Sequence, residues 1–399
     1  MDIDFSALAS IDFAALNKAT HSTSPLSSAG PPPPPPPPPA SLASLSSYGM
    51  TLAYKLPRGC VDGGVRVGVS GSGKVSVWVA MEKGVARMSI GGGLGGDPGG
   101  EPPLPPATLN YDSLITTLIP THSPTTSLLA SGPSITHICH ATNKTLRTYP
   151  GHITTVISLS LSPSSDTFAS LDASGCLKLW SLSSSAPLSS GCVAPASSPP
   201  SVISWDPSGD VLGVFGLSAA PSERGGTGNI VGMMYDATKS PPTCFSDFKV
   251  TRDQLSRSMT ASGVPEQARR EVMSLGLRSV TAAEFSRDGA SVMLKCTGGV
   301  FAVLDAYTYE VLAIPVEHLP ASGPCGSGPT AACFGRGGKE AVVAVGGKVM
   351  FYKNYMSSVS KVEEVGDVVK GVAWVDGYDA LVTCGGVLGV WQPVHEEDE

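Results

Sequence analysis

GVSGSGKV, from Gly68 to Val75, has the glycine and lysine spacing of a phosphate-binding loop. A loop of that kind ends in Ser or Thr to hold magnesium and then opens a helix whose amino end faces the phosphates. Here Val75 stands in the hydroxyl's place, and VSVWVA continues with the alternation of a strand. A hairpin is the favoured reading, and a nucleotide hydrolase using Lys74 is the contrasting one. His137, Cys139 and His140 offer metal-ligand types, but on a strand positions 137 and 139 face one way and 140 the other, whereas zinc needs converging ligands. No Ser stands in a G-x-S-x-G elbow, the seven histidines are scattered, and the carboxylates fall mostly in turns or at the termini. The expectation is a protein that is not an enzyme, with no catalytic, metal or cofactor-binding residues of its own.

The elements that would carry any site are short strands. A glycine-bearing turn followed at once by a strand with alternate apolar residues recurs seven times: VSVWV after Gly73-Lys74, SITHICH after Gly132-Pro133, CLKLW after Ser174-Gly175, IVGMMYD after Gly228-Asn229, VFAVLD after Gly298-Gly299, KVMFYK after Gly346-Gly347 and VLGVW after Gly385-Gly386. Glycine suits such turns because they need positive φ. A second pattern lies one hairpin earlier, in ISLSLSPSSDTFASL from Ile157, VISWDPSGDVLGVFG from Val202, AAEFSRDGASVMLKC from Ala282, AACFGRGGKEAVVAV from Ala331 and GVAWVDGYDALVTC from Gly371. Each has an apolar or aromatic anchor (Leu161, Trp205, Phe285, Phe334, Trp374), a polar turn and another apolar strand. Read together they are strand a, turn, strand b, glycine turn, strand c. A period of about 40 to 70 residues then predicts an all-β, seven-bladed β-propeller over residues 47–395. The first two blades rest on their glycine turns and c strands alone.

Residues 1–46 differ from the rest. They contain IDFSALASIDFAAL, a Ser and Thr stretch and nine consecutive prolines, Pro31 to Pro39. Proline runs form an extended helix without internal hydrogen bonds, so a disordered, proline-rich tail is expected. Within it Phe5, Leu8, Phe13 and Leu16 form a near repeat of apolar anchors suited to a partner groove. A Gly/Pro loop from Gly91 to Pro106 and a segment from Arg252 to Arg278 are read as insertions, and in the latter VPEQARREVMSLG predicts a short lid-like helix with Val264, Ala268, Val272 and Leu275 on one face. Residues 396–399 form an acidic end.

The nine cysteines, Cys60, Cys139, Cys176, Cys192, Cys244, Cys296, Cys325, Cys333 and Cys384, are an odd count with no pair at metal-ligand spacing. Several fall in strands, where a free cysteine behaves as a small buried hydrophobe, and a reducing compartment is the simpler expectation. The acidic amino terminus and the lack of a long apolar run predict a soluble, intracellular protein. A net charge of -7 argues against a broad phosphate-binding face, so no direct nucleic-acid contact is expected.

PGHITTV, Pro150 to Val156, followed by LKLW ending at Trp180, resembles a WD repeat. In that family a Gly-His before strand a, a Ser or Thr on strand b, an Asp in the b to c turn and a Trp on strand c form a hydrogen-bonded tetrad. The resemblance assigns His152, Ser170 and Trp180 to it. Ser174 stands where the Asp is expected, and Ser181 replaces the Asp of the closing Trp-Asp pair, which implies a weakened tetrad.

The order of phrases is also similar to one WD-repeat family, the small subunit shared by COMPASS-type SET-domain methyltransferases and by RNA 3′-end cleavage and phosphatase complexes. The phrases are TLRTYPGHITTVISLSLSPSSDTFAS (Thr145 to Ser170), SWDPSG (Ser204 to Gly209), FSDFKV (Phe245 to Val250), FSRDGASVMLKCTGGVFAVLDAYTYEV (Phe285 to Val311) and VWQPVHEEDE at the end. The resemblance implies a nuclear scaffold for the methylation of lysine four of histone three, with methyltransferase-complex subunits, an RNA polymerase tail or 3′-end processing factors as partners. A subunit of a cleavage or nuclear phosphatase complex, and a generic propeller adaptor, are the alternatives. It also suggests that MTLAYKL, Met50 to Leu56, pairs with Val387 to Trp391 and so closes the ring without an exposed edge.

Overall fold

A computed structural model describes residues 48–55, 60–69, 75–81, 84–90, 107–110, 114–123, 125–193, 200–218, 228–261, 266–267, 269–270, 279–296, 300–314, 330–335, 338–345, 347–353, 358–365, 368–375 and 380–393. All belong to the unit Ala43–Glu399. Phe5, Leu8, Phe13 and Leu16, Lys74, the Gly91 to Pro106 loop and residues 396–399 lie outside the described residues.

The strands form seven four-stranded antiparallel sheets, a seven-bladed β-propeller of the kind that WD repeats build. Strand β1 (Tyr48–Lys55) belongs to the last blade. Blade 1 is β2 (Cys60–Val69), β3 (Val75–Met81), β4 (Gly84–Ile90) and β5 (Ala107–Asn110). Blade 2 is β6 (Thr117–Pro120), β7 (Thr126–Ser131), β8 (Ser134–Cys139) and β9 (Lys144–Tyr149). Blade 3 follows as β10 (Val156–Leu161), β11 (Thr167–Asp172), β12 (Cys176–Ser181) and β13 (Pro187–Cys192). Blade 4 holds β14 (Pro200–Trp205), β15 (Val211–Ser218), β16 (Asn229–Asp236) and β17 (Thr243–Val250). Blade 5 holds β18 (Val280–Phe285), β19 (Ser291–Cys296), β20 (Val300–Asp305) and β21 (Val311–Ala313). Blade 6 comprises β22 (Thr330–Phe334), β23 (Ala341–Val345), β24 (Lys348–Lys353) and β25 (Ser358–Glu364), and blade 7 comprises β26 (Gly371–Val375), β27 (Ala380–Cys384), β28 (Val387–Pro393) and β1.

The first described strand therefore supplies the outer strand of the last blade. Met50 pairs with Trp391 and Ala53 with Gly389 in an antiparallel ladder. This is the closure that the resemblance to WD-repeat proteins suggested. One register expectation fails, because VSVWV is the second strand of blade 1 and not its third. The preceding CVDGGVRVGV forms the inner strand β2, which pairs with β3 despite a register break between Cys60 and Val65.

Turn chemistry explains the meanders. In blade 4, Asp206 Oδ1 accepts the N–H groups of Gly209, Asp210 and Val211 at 3.1, 3.2 and 2.9 Å, and Gly209 adopts φ +78°. The carboxylate ties the turn, and the missing Cβ makes the backbone conformation cheap. Gly132 and Gly175 have the positive φ expected of their turns. Gly385 answers a different need, since a Cβ there would run into the Val368 carbonyl oxygen.

Sheet faces are buried blade against blade. Seven hydrophobic clusters of described residues each span one seam, from Val77 and Val382 between blades 1 and 7 to Phe351 and Leu381 between blades 6 and 7. Helix α1 (Arg252–Ala261) joins one of them by burying Leu255 and Met259 at the seam of blades 4 and 5. Its start is a capping box. Thr251 N–H donates to Gln254 Oε1 at 2.7 Å, and Gln254 N–H donates back to Thr251 Oγ1 at 3.3 Å. The helix expected further along, at VPEQARREVMSLG, is described only at Glu266, Gln267, Arg269 and Arg270, which are helical.

Candidate functional site

Blade 3 brings four side chains together. His152 precedes β10, Ser170 and Asp172 lie two apart on β11 and so share a face, and Trp180 lies on β12. Trp180 Nε1–H donates to Ser170 Oγ at 2.7 Å. Ser170 Oγ lies 2.6 Å from His152 Nε2, and His152 Nδ1 lies 2.9 Å from Asp172 Oδ2. The chain is consistent when His152 is neutral with its proton on Nδ1: that N–H donates to Asp172, and the Ser170 hydroxyl donates to Nε2. Burial lowers the His152 pKa, with Asp172 opposing. For Asp172 burial alone would raise the pKa, but hydrogen bonds from Ser174, the Cys176 N–H and His152 outweigh it, and the net direction is down.

The acid of this tetrad is Asp172, not position 174. Ser174 sits in the turn beyond β11, and its N–H and hydroxyl both donate to the other oxygen, Asp172 Oδ1, at 3.0 and 2.6 Å. The carboxylate therefore comes from the end of strand b, where i, i+2 spacing from Ser170 aims it at the histidine. The tetrad is complete and carries a charged acceptor. It is walled by Tyr149 and Phe168, whose ring centroids lie 5.6 and 6.1 Å from that of Trp180. Blade 7 keeps half of the arrangement, with Trp391 Nε1–H donating to Thr383 Oγ1 at 2.9 Å.

His152, Asp172 and Cys176 also bring potential ligand atoms within 4.8 Å of one another. They do not make a metal site in this state, because both His152 nitrogens and both Asp172 oxygens already hold hydrogen bonds. His137, Cys139 and His140 do not converge. His140 turns inward, with Nε2 2.6 Å from Ser127 Oγ and its ring 4.4 Å from that of Trp78, while Arg87 lies over the same indole at 5.3 Å. Burial, reinforced by Arg87, pushes the His140 pKa down to about 4. At GVSGSGKV the chain continues from Val75 as β3, fully buried, where a phosphate-binding loop would open a helix.

The inner strands carry a charged pair of interest. Arg66 on β2 is exposed; the protein around it lowers its pKa by desolvation, and the Glu284 carboxylate on β18 opposes that shift. Glu284 Oε1 also accepts the Phe334 N–H at 3.4 Å.

The outer strands show a pattern that no motif search would find. In each of blades 2 to 5 the ladder between third and fourth strands skips one residue of the outer strand. His137 pairs with Arg147 and Ile138 with Thr145, leaving out Leu146. Leu188, Phe245 and Leu312 are left out in the same way. These four are exposed by 52, 50, 59 and 39% respectively. Single exposed apolar residues need no explanation, but the same bulge position repeated in four successive blades is an arc. In blades 6 and 7 the skipped residues are Ser360 and Thr51.

Compared with models of known protein families, the chain matches none. Its propeller fits a WD-repeat scaffold or adaptor, an architecture suited to protein–protein contact. Among the described residues no helix is long and apolar enough to cross a membrane.

Proposed function

We propose that this chain is a non-catalytic scaffold subunit of a nuclear COMPASS-type complex that methylates lysine four of histone three. The observation that carries the scaffold half of this reading is the rim arc: Leu146, Leu188, Phe245 and Leu312 project from the outer strands while the polar clusters of the blades are consumed in holding those blades together. A surface of that kind docks partners and offers no reactive group. The methyltransferase half rests on the resemblance of five phrases, from TLRTYPGHITTV to VWQPVHEEDE, to the family's small WD subunit. In such a complex the propeller positions or recruits an enzyme carried by another chain.

Affinity purification of the tagged full-length chain, followed by mass spectrometry and a histone methylation assay on the eluate, tests the assignment. Recovery of a SET-domain chain with activity on lysine four is the expected result. Recovery of RNA 3′-end cleavage factors or a phosphatase alone would move the protein to the family's other assembly.

A further inference from the structure

Cys176 opens β12 and Cys192 closes β13, and the two stand directly opposite each other in the antiparallel register. The neighbouring rung shows what kind of pair they are. Val193 N–H donates to the Gly175 carbonyl at 3.0 Å, so the hydrogen bond flanks the cysteines and they occupy a non-hydrogen-bonded position. In such positions the Cα atoms are about 4.5 Å apart, which falls at the short end of the range that a disulfide spans. Opposite residues of an antiparallel pair also lie on the same face of the sheet. Cys176 is a free, half-buried thiol in this structure.

We propose that Cys176 and Cys192 form a reversible cross-strand disulfide, a redox modification site at the end of blade 3. The oxidant is a low-molecular-weight disulfide of the glutathione class. One cysteine, as thiolate, attacks a sulfur of that disulfide and expels one small thiol; the other then attacks the mixed disulfide and expels the second. The protein loses two electrons and two protons, and the small disulfide leaves as two thiols. The exchange is reversible, so the pair follows the thiol poise around it.

The place gives the bond its consequence. It ties the outer strand β13, which carries Leu188 of the rim arc, to β12. Cys176 N–H donates to Asp172 Oδ1 at 3.0 Å, so the same step of chain supports the tetrad acid. The inference stands on register alone and is independent of which complex the protein joins.

The test equilibrates the folded full-length protein in buffers of fixed reduced to oxidised glutathione ratio, traps thiols with a maleimide and maps peptides by mass spectrometry. The expected product is a peptide linking Cys176 to Cys192, formed and lost cooperatively with the ratio, while the buried Cys296, Cys333 and Cys384 stay unmodified and report an intact fold. Cys176→Ser and Cys192→Ser, each melting as the reduced parent does, are expected to carry a mixed glutathione disulfide on the remaining cysteine. Independent labelling of the two thiols in the parent at every ratio, separate glutathione adducts on each, or pairing with other cysteines would overturn the proposal.

Discussion

Asp172 accepts four hydrogen bonds, from Ser174 N–H, Ser174 Oγ, Cys176 N–H and His152 Nδ1. Removing the carboxylate leaves buried donors unpaired, so Asp172→Ala is expected to cost about 3 kcal/mol of unfolding free energy. Ser174→Ala removes one hydroxyl at a half-open turn and is expected to cost about 1 kcal/mol or less. Chemical denaturation of the two variants checks the order, and the reverse order would return the acid's role to position 174. A second residue-scale consequence concerns pH. The folded pKa of His140 is about 4 against an ordinary 6.5, so the unfolded chain takes up the proton first as pH falls. Its stability contribution is full above about pH 6.5 and is lost progressively down to about pH 4. The lowered pKa of His152 works in the same direction, and that of Asp172 adds a further loss below the usual carboxylate range. His140→Gln is expected to show a smaller fall in melting temperature between about pH 7.5 and about pH 5 than the parent. An equal fall would remove His140 from the account. His152, Ser170 and Trp180 could be picked from the sequence because three fixed residue types stood at family spacing. Asp172 could not be picked that way, because a residue's contribution through i, i+2 on a strand depends on where the strand ends.

Closure depends on a single strand crossing from the start of the described chain to its end. Because the hydrogen-bonding role alternates along β1, proline at both Leu52 and Ala53 removes at least one rung to β28 and introduces a ring at an edge position. The double variant is expected to melt roughly 10 °C lower, with loss of cooperativity, in differential scanning calorimetry. An unchanged melt would mean that the β1 ladder contributes little to holding the ring. Helix α1 acts as a cover, and Met259→Ala is expected to cost about 2 kcal/mol, because its side chain is fully buried in the seam of blades 4 and 5. Most strands were legible from alternation and turn residues. β2 was not, because CVDGGVRVGV carries three glycines and an Asp inside a strand, and blade 1 was therefore shifted by one place. The Thr251-Arg252-Asp253-Gln254 capping box is a helix signal in the sequence, whereas the expected helix rests on the proline that follows at Val264-Pro265.

At the scale of the molecule, seven seams each bury one apolar cluster, and no seam is shared by more than two blades. Stability is then a sum of neighbouring interfaces, and the outside of the ring is left free to vary. That is why the fold was readable from repeats while the rim arc was not. The arc arises from the place at which each outer strand bulges, a three-dimensional register shift that leaves no spacing signature in the sequence. Bulged residues escape the alternation that buries their neighbours, which leaves an apolar side chain there exposed. The most direct measurement is a paired affinity purification of the parent chain and of a variant carrying Leu146→Ser, Leu188→Ser, Phe245→Ser and Leu312→Ser, with melting curves of both. A docking rim predicts equal melting temperatures and at least a roughly tenfold loss of the co-purified catalytic chain in the variant, as expected when several apolar anchors are removed. Full recovery of partners by a correctly folded variant would contradict it.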